Sequence, residues 1–179
     1  MKKIIGFVGY KNSGKTTACN IIRKYSNEVV HQHNFKDGLI RELKRNFPNL
    51  LSQLSGLYEM ELERLFIEKP PAVRALMQEY GTEVRRGDRD DYWIEKWVDS
   101  LPTDGMILVD DVRFENEARK LLDCGGILIR LVRKDMVNID SHQSETEQDK
   151  IKVDYTITTR WGQQDVLESE LFKIVNGQI

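Results

Sequence analysis

The residues Gly9-Tyr10-Lys11-Asn12-Ser13-Gly14-Lys15-Thr16-Thr17 place two glycines five positions apart and follow the second with lysine and threonine. That spacing suits one chemistry. Successive peptide N–H groups can surround a row of phosphate oxygens at a helix start only where glycine removes side-chain bulk. A nucleoside triphosphate, with ATP as the obvious donor, presents such a row. Lys15 then carries a mobile positive charge to the β- and γ-phosphates, and the Thr16 hydroxyl completes the shell of a Mg²⁺ ion bridging them. Thr17 is expected on the α-phosphate side, with Lys11, Asn12, Ser13 and Gly14 lining the cradle.

A second group of charges follows the apolar run Met106-Ile107-Leu108-Val109, where Asp110 and Asp111 stand at a strand end with Arg113 two residues on. In a doubly wound sheet, strand ends converge on the ligand at their carboxyl edge, so an aspartate here can share the metal with Thr16. Asp110 is assigned to the metal and Asp111 to the catalytic set, although sequence leaves open which of them organises the ion. Arg113 offers a guanidinium fork to a phosphoryl group in transfer. Arg133, beside Lys134 at another strand end, is a candidate nucleotide contact from the lid side, although a basic strand end is more often merely solvated.

The acceptor side is less specific. Glu83 to Trp93 mixes Arg85, Arg86 and Arg89 with Tyr92 and Trp93 in what reads as a turn before a helix. A monophosphate acceptor needs a guanidinium for its phosphate and a ring or amide for its base, but alternating charge is also what a solvated loop shows. Lys36 and Arg41 are ambiguous in the same way. His142 reads equally as a base or a turn residue, and His31 and His33 as structural.

These residues need elements to hold them. Ile4 to Val8 reads as a buried strand, and Ala18, Ile21, Ile22 and Tyr25 recur at helical spacing, giving strand, loop and helix in order. A short strand is expected over Glu28 to Phe35, then a helix from Gly38. Mixed helical spacing from Leu50 to about Phe66, the break at Pro70-Pro71 and a helix over Ala72 to Tyr80 stopped by Gly81 read as a helical insertion of roughly 50–101. Tyr92 to Leu101 closes it. Beyond lie the strand at 106–109, a helix over Glu115 to Asp123, strands at Ile127 to Val132 and Val153 to Thr158, and a final helix from Gln164 to Ile174. Residues 134–150 are polar and read as a lid-like loop.

At 179 residues the chain fits one P-loop domain of α/β class, a mainly parallel sheet between helices. Its 27 basic and 29 acidic residues give a net charge of −2 and no bulk attraction for nucleic acid or an anionic membrane. Two cysteines, Cys19 and Cys124, form no metal or disulfide pattern. With no leader-like apolar start, a cytoplasmic location is expected, the host cytoplasm if the chain is phage-encoded.

Taken together, Gly9 to Thr17, the Asn34-Phe35-Lys36-Asp37-Gly38-Leu39 turn, Leu76 to Glu83 leading to Arg86 and Trp93, Val109 to Glu117 and His142-x-Ser144-Glu145 resemble the phage-type deoxynucleoside monophosphate kinases. The resemblance implies a nucleoside-monophosphate-kinase fold and transfer of the ATP γ-phosphate to a (deoxy)nucleoside monophosphate. Lys15 and Thr16 would hold ATP and Mg²⁺, Arg113 would contact the phosphates, and Gln78, Arg86 and Trp93 would line the acceptor pocket. Lys36 and Gly38 stand where that family commonly has a small residue and a proline, and Arg85 is an extra charge. The rival readings are a kinase for another small phosphorylated metabolite, a non-catalytic nucleotide-binding protein and a nucleic-acid end kinase. A homodimer is compatible with the sequence.

Overall fold

In the computed structural model, which describes residues 3–136 and 147–177, the apolar run near the start becomes β1 (Lys3–Val8), its last five residues fully buried. Four further strands, β2 (Val30–Gln32), β3 (Met106–Val109), β4 (Ile127–Arg133) and β5 (Tyr155–Thr159), join it in a sheet of order 2-3-1-4-5. Every pairing is parallel. β1 is central, and the chain crosses to β2 on one side before returning to β3 and passing to β4 on the other. Such a reversal opens a crevice at the carboxyl ends of the strands. The loop after β1 lies there.

One face of the sheet is covered by α1 (Lys15–Tyr25) and by the C-terminal helix. Ile5, Phe7, Leu108, Ile129, Leu131 and Ile157 from the strands meet Ala18, Ile21, Ile22, Leu167 and Leu171 from these helices. Each of the isoleucine, leucine and phenylalanine side chains contributes roughly 1.5–3 kcal/mol by leaving water. Exposed Asn20, Arg23 and Lys24 occupy the outer side of α1, which is the division that the 3.6-residue period demands.

The chain divides into two compact units, one of residues 1–34 and 101–179 and the other of residues 35–100. The second unit is entirely helical: α2 (Lys36–Asn46), α3 (Pro48–Tyr58), α4 (Leu62–Glu68), α5 (Pro71–Gln78), a π-helical stretch Glu79–Arg86, and α6 (Tyr92–Asp99). Pro48 and Pro71 stand at first helical positions, where a missing N–H costs nothing. Leu39, Leu43, Leu51, Leu54, Leu65, Phe66, Val73, Met77, Tyr80 and Trp93 make its own core. It starts at Phe35, ahead of the Leu50 start read from the leucine pattern.

One local expectation is corrected in this unit. Gly81 does not stop the helix: it has no positive φ, and the π-helix runs through it to Arg86, where the sequence suggested a turn. Its small size serves packing, because a Cβ would come within 3.0 Å of Leu39 Cδ2. Trp93, which the resemblance sets at the acceptor pocket, is 4% exposed, with its indole N–H donating to the Gly81 carbonyl at 2.8 Å.

Beyond β3, α7 is Glu115–Asp123, a single 3₁₀ turn covers Glu147–Lys150, and α8 is Gln164–Val175. Among the described residues, no helix is long and apolar enough to cross a membrane. His142, Ser144 and Glu145, and with them most of the 134–150 lid expectation, lie outside the described residues.

Candidate active site

The loop between β1 and α1 closes on itself through Ser13 N–H donating to the Tyr10 carbonyl at 3.1 Å. Gly9 has φ 153°, and a Cβ there would fall 2.6 Å from both the Leu131 carbonyl oxygen and Ser13 Oγ. Any side chain would wreck that turn. Gly14, at φ 104°, caps α1 with no side-chain bond, and no acidic residue occupies the first turn. The positive dipole end of this helix therefore has no acidic side chain of its own first turn or cap set against it, the condition that favours an anion. Inside the same loop Ser13 Oγ is buried, with no hydrogen-bond partner among the described residues. Lys15 Nζ donates to the carbonyls of Gly9 and, at 2.7 Å, of Tyr10. The ammonium is thus parked over the loop.

Thr16 follows at the exposed start of α1, its hydroxyl 3.5 Å from Asp110 Oδ2. Asp110 is buried at the end of β3, and two neighbours fix it: Gln32 Nε2 donates to Oδ2 at 2.9 Å, and the Asp110 N–H donates to Asn34 Oδ1 at 2.9 Å. A hydroxyl and a carboxylate oxygen at this spacing are hard donors of the kind Mg²⁺ takes while keeping waters and substrate phosphates as its other ligands. No cluster of three His, Cys, Asp or Glu exists among the described residues, so a dedicated all-protein metal cage is not what these donors form. Asp111 is also buried.

Arg113 lies on the loop between β3 and α7 and is half-buried. Its position is set through the backbone: Glu117, buried in the first turn of α7, accepts from the N–H of Arg113 at 2.9 Å and of Phe114 at 3.2 Å. Across the loop, Arg133 at the end of β4 brings its guanidinium near Gly14 and lies 5.2 Å from the centre of the Trp161 ring. These residues with Lys15, Thr16, Thr17, Gly162 and Gln163 line a cleft of about 670 Å³. Lys11 and Asn12 are exposed on the loop, Asn12 at φ 64°, which asparagine tolerates.

The second unit gathers Gln78 at the end of α5, half-buried, and Arg86 at the end of the π-helix, buried and 3.3 Å from Asp90. Lys36 opens α2. Beside Arg86, Arg85 belongs to a network centred on buried Glu42. Tyr80 OH donates to Glu42 at 3.2 Å, Tyr92 OH donates to its other oxygen, and Arg85 lies 3.2 Å from the carboxylate while its guanidinium stands over both tyrosine rings. The extra charge at Arg85 is accounted for. It braces the end of the π-helix.

The model of the deoxynucleotide monophosphate kinase family matches residues 52–160, more than half of the chain. The chain belongs to that family. The matched span carries Gln78, Arg86, Asp110, Asp111 and Arg113, whereas the phosphate loop precedes it, so loop and match are separate observations. A protein described as a putative deoxynucleotide monophosphate kinase of Acanthamoeba polyphaga mimivirus is 29% identical, with 83% of each chain covered. Among solved structures, the shikimate kinase of Aquifex aeolicus aligns over 98% of each chain at 12% identity and a TM-score of 0.47. That of Bacteroides thetaiotaomicron gives 14% and 0.42.

Residues to which sequence reasoning gave no individual role border the loop and the cleft. Gln32 and Asn34 hold Asp110, Trp161 walls the cleft, and Gln148 touches the loop. Polar side chains at the carboxyl ends of strands were the available signal for the first two. Trp161, 77% exposed in a Gly-containing turn after β5, could have been singled out as a large ring without a core reason.

One consequence of the Glu42 network is measurable in this kinase. Burial, then the hydrogen bond and charge of Glu42, hold the Tyr92 phenol above its ordinary value of 10.0. A raised folded value contributes stability that is complete below the unfolded one and is lost as pH rises through the folded one. The wild type should therefore lose denaturant stability more steeply above about pH 10 than Tyr92→Phe. Parallel profiles from pH 8 to 11.5 would count against the network.

Proposed function

We propose that this member of the family transfers the γ-phosphate of ATP to a deoxynucleoside monophosphate with Mg²⁺, working on free nucleotides in the cytoplasm rather than on nucleic acid. The observation that carries the residue assignment is the meeting of Thr16 Oγ1 and Asp110 Oδ2 at 3.5 Å beside the start of α1. The triphosphate lies along the loop amides, from Lys11 to Thr17, with Lys15 exchanging its carbonyl partners for phosphate oxygens. A Mg²⁺ ion held by Thr16 and Asp110 neutralises part of the phosphate charge when bound. Arg133 and Trp161, across the cleft, take the donor's base side, a ring and a guanidinium both suiting a flat heterocycle.

An oxygen of the acceptor monophosphate attacks the γ-phosphorus while the bond to the bridging oxygen of ADP breaks. Little covalent help is needed. Charge and alignment dominate such transfers, so Lys15 and Arg113 act on the transferring group and Asp111 supports the same strand end. The acceptor contacts are assigned to the helical unit: Arg86 for the phosphate, and Gln78, Lys36 and Trp93 for the remainder of the acceptor.

The test is ADP release by the whole protein with ATP, Mg²⁺ and each common monophosphate in turn. Turnover that requires both a deoxynucleoside monophosphate and Mg²⁺, and stops with chelator, supports the reading. Turnover with a different phosphorylated metabolite only, or none with any acceptor, defeats it.

A further inference from the structure

The single turn Glu147–Lys150 is built against the phosphate loop. Gln148 is 1% exposed, and its side-chain oxygen accepts the N–H of Gly9 at 3.1 Å. The Tyr10 hydroxyl donates to Asp149 Oδ2, a second rung to the next residue of the loop. The turn is itself held from the sheet, because Arg130 on β4 donates to the carbonyls of Gln148 at 3.0 Å and Ile151 at 2.6 Å. Arg130 pairs in register with Val8, the last residue of β1. Sheet, turn and loop are therefore tied in a closed circuit.

The circuit matters when the loop takes its ligand. Gly9 is restrained through the peptide groups on both of its sides: Gln148 binds its N–H, and Lys15 binds its carbonyl. Once Lys15 turns to phosphate, the carbonyl restraint is gone. Glycine is the residue most free to rotate in that circumstance, and the cradle depends on its amides keeping their direction. Gln148 still holds the Gly9 N–H.

We propose that Gln148 is a positioning residue for the ATP-bound loop, acting through the Gly9 amide. The assignment rests on the P-loop reading above. Gln148→Met keeps the volume of the side chain and deletes its acceptor, so the free protein should stay folded at the assay temperature while its melting temperature falls by several degrees for the buried Gly9 N–H left without that acceptor. Its affinity for ATP·Mg²⁺, read by equilibrium binding, should fall about tenfold. The KM of the monophosphate should stay within about twofold, since the acceptor unit is untouched. The hydrogen exchange of the Gly9 amide, followed by NMR, should lose protection in Gln148→Met and keep it in Gln148→Glu, which retains an acceptor oxygen on the same stem.

Tyr10→Phe, altered at an exposed hydroxyl, gives a second measurement that folding cannot confuse. ATP affinity should fall there by about threefold. Wild-type affinity in both Gln148→Met and Tyr10→Phe, equal losses for ATP and acceptor, or unchanged Gly9 exchange in Gln148→Met would each overturn the assignment. Failure of the wild-type protein itself to bind ATP would instead strike the P-loop reading.

Discussion

Lys15→Ala should lower kcat by roughly a thousandfold while the protein stays folded. The charge is what the reaction loses. Negative charge is spread over the transferring oxygens in the transition state, and a preorganised cation in a water-poor site is worth more there than in the ground state. The folded state loses much less. Lys15 is half-buried and its ammonium binds two loop carbonyls, Gly9 and Tyr10, that water can reach once the side chain is cut back. Losing those bonds costs about 1 kcal/mol, which lowers Tm by roughly 2–4 °C in a chain of this size. The measurement is steady-state turnover beside a thermal melt. Activity above a tenth of wild type would remove Lys15 from the site, and a Tm fall beyond about 10 °C would trace the loss to folding instead.

The loop was legible because its chemistry is local: the amides, the two glycines, the lysine and the threonine must be neighbours in sequence to be neighbours in space. Asp110 was legible for a related reason, as a charge closing a strand too apolar to end at random. What could not be read is assembled across the fold. Gln148 meets Gly9 from 139 positions away, and Gln32 meets Asp110 from 78. Neither glutamine stands in a pattern of its own. The π-helix shows the opposite failure, a local signal taken at face value. Glycine ends helices when it adopts a left-handed conformation, but Gly81 is small because Leu39 lies against it, a contact made by tertiary packing. Trp93 packs in the core of the helical unit with residues distant in sequence, and its neighbouring arginines do not report such packing.

Arg113→Ala should show the second large effect, a fall in kcat of about a thousandfold with the KM for ATP changed by no more than about threefold. The geometry separates it from a folding defect. The path of the chain at Arg113 is fixed by Glu117, which accepts from two successive amides, so truncating the arginine side chain leaves the turn and the helix start of α7 in place. Glu117→Ala supplies the contrast. It leaves the guanidinium intact but frees the loop, and it removes a buried acceptor from two N–H groups, which should cost about 1–3 kcal/mol of stability together with activity. Arg113→Lys should recover little, since an ammonium cannot span two phosphate oxygens as a planar fork does. If Arg113→Ala instead raised the KM for ATP in proportion to its loss of kcat/KM and kept kcat, the guanidinium would be a ground-state contact to the donor. A role in the transition state would then belong to Lys15 without it.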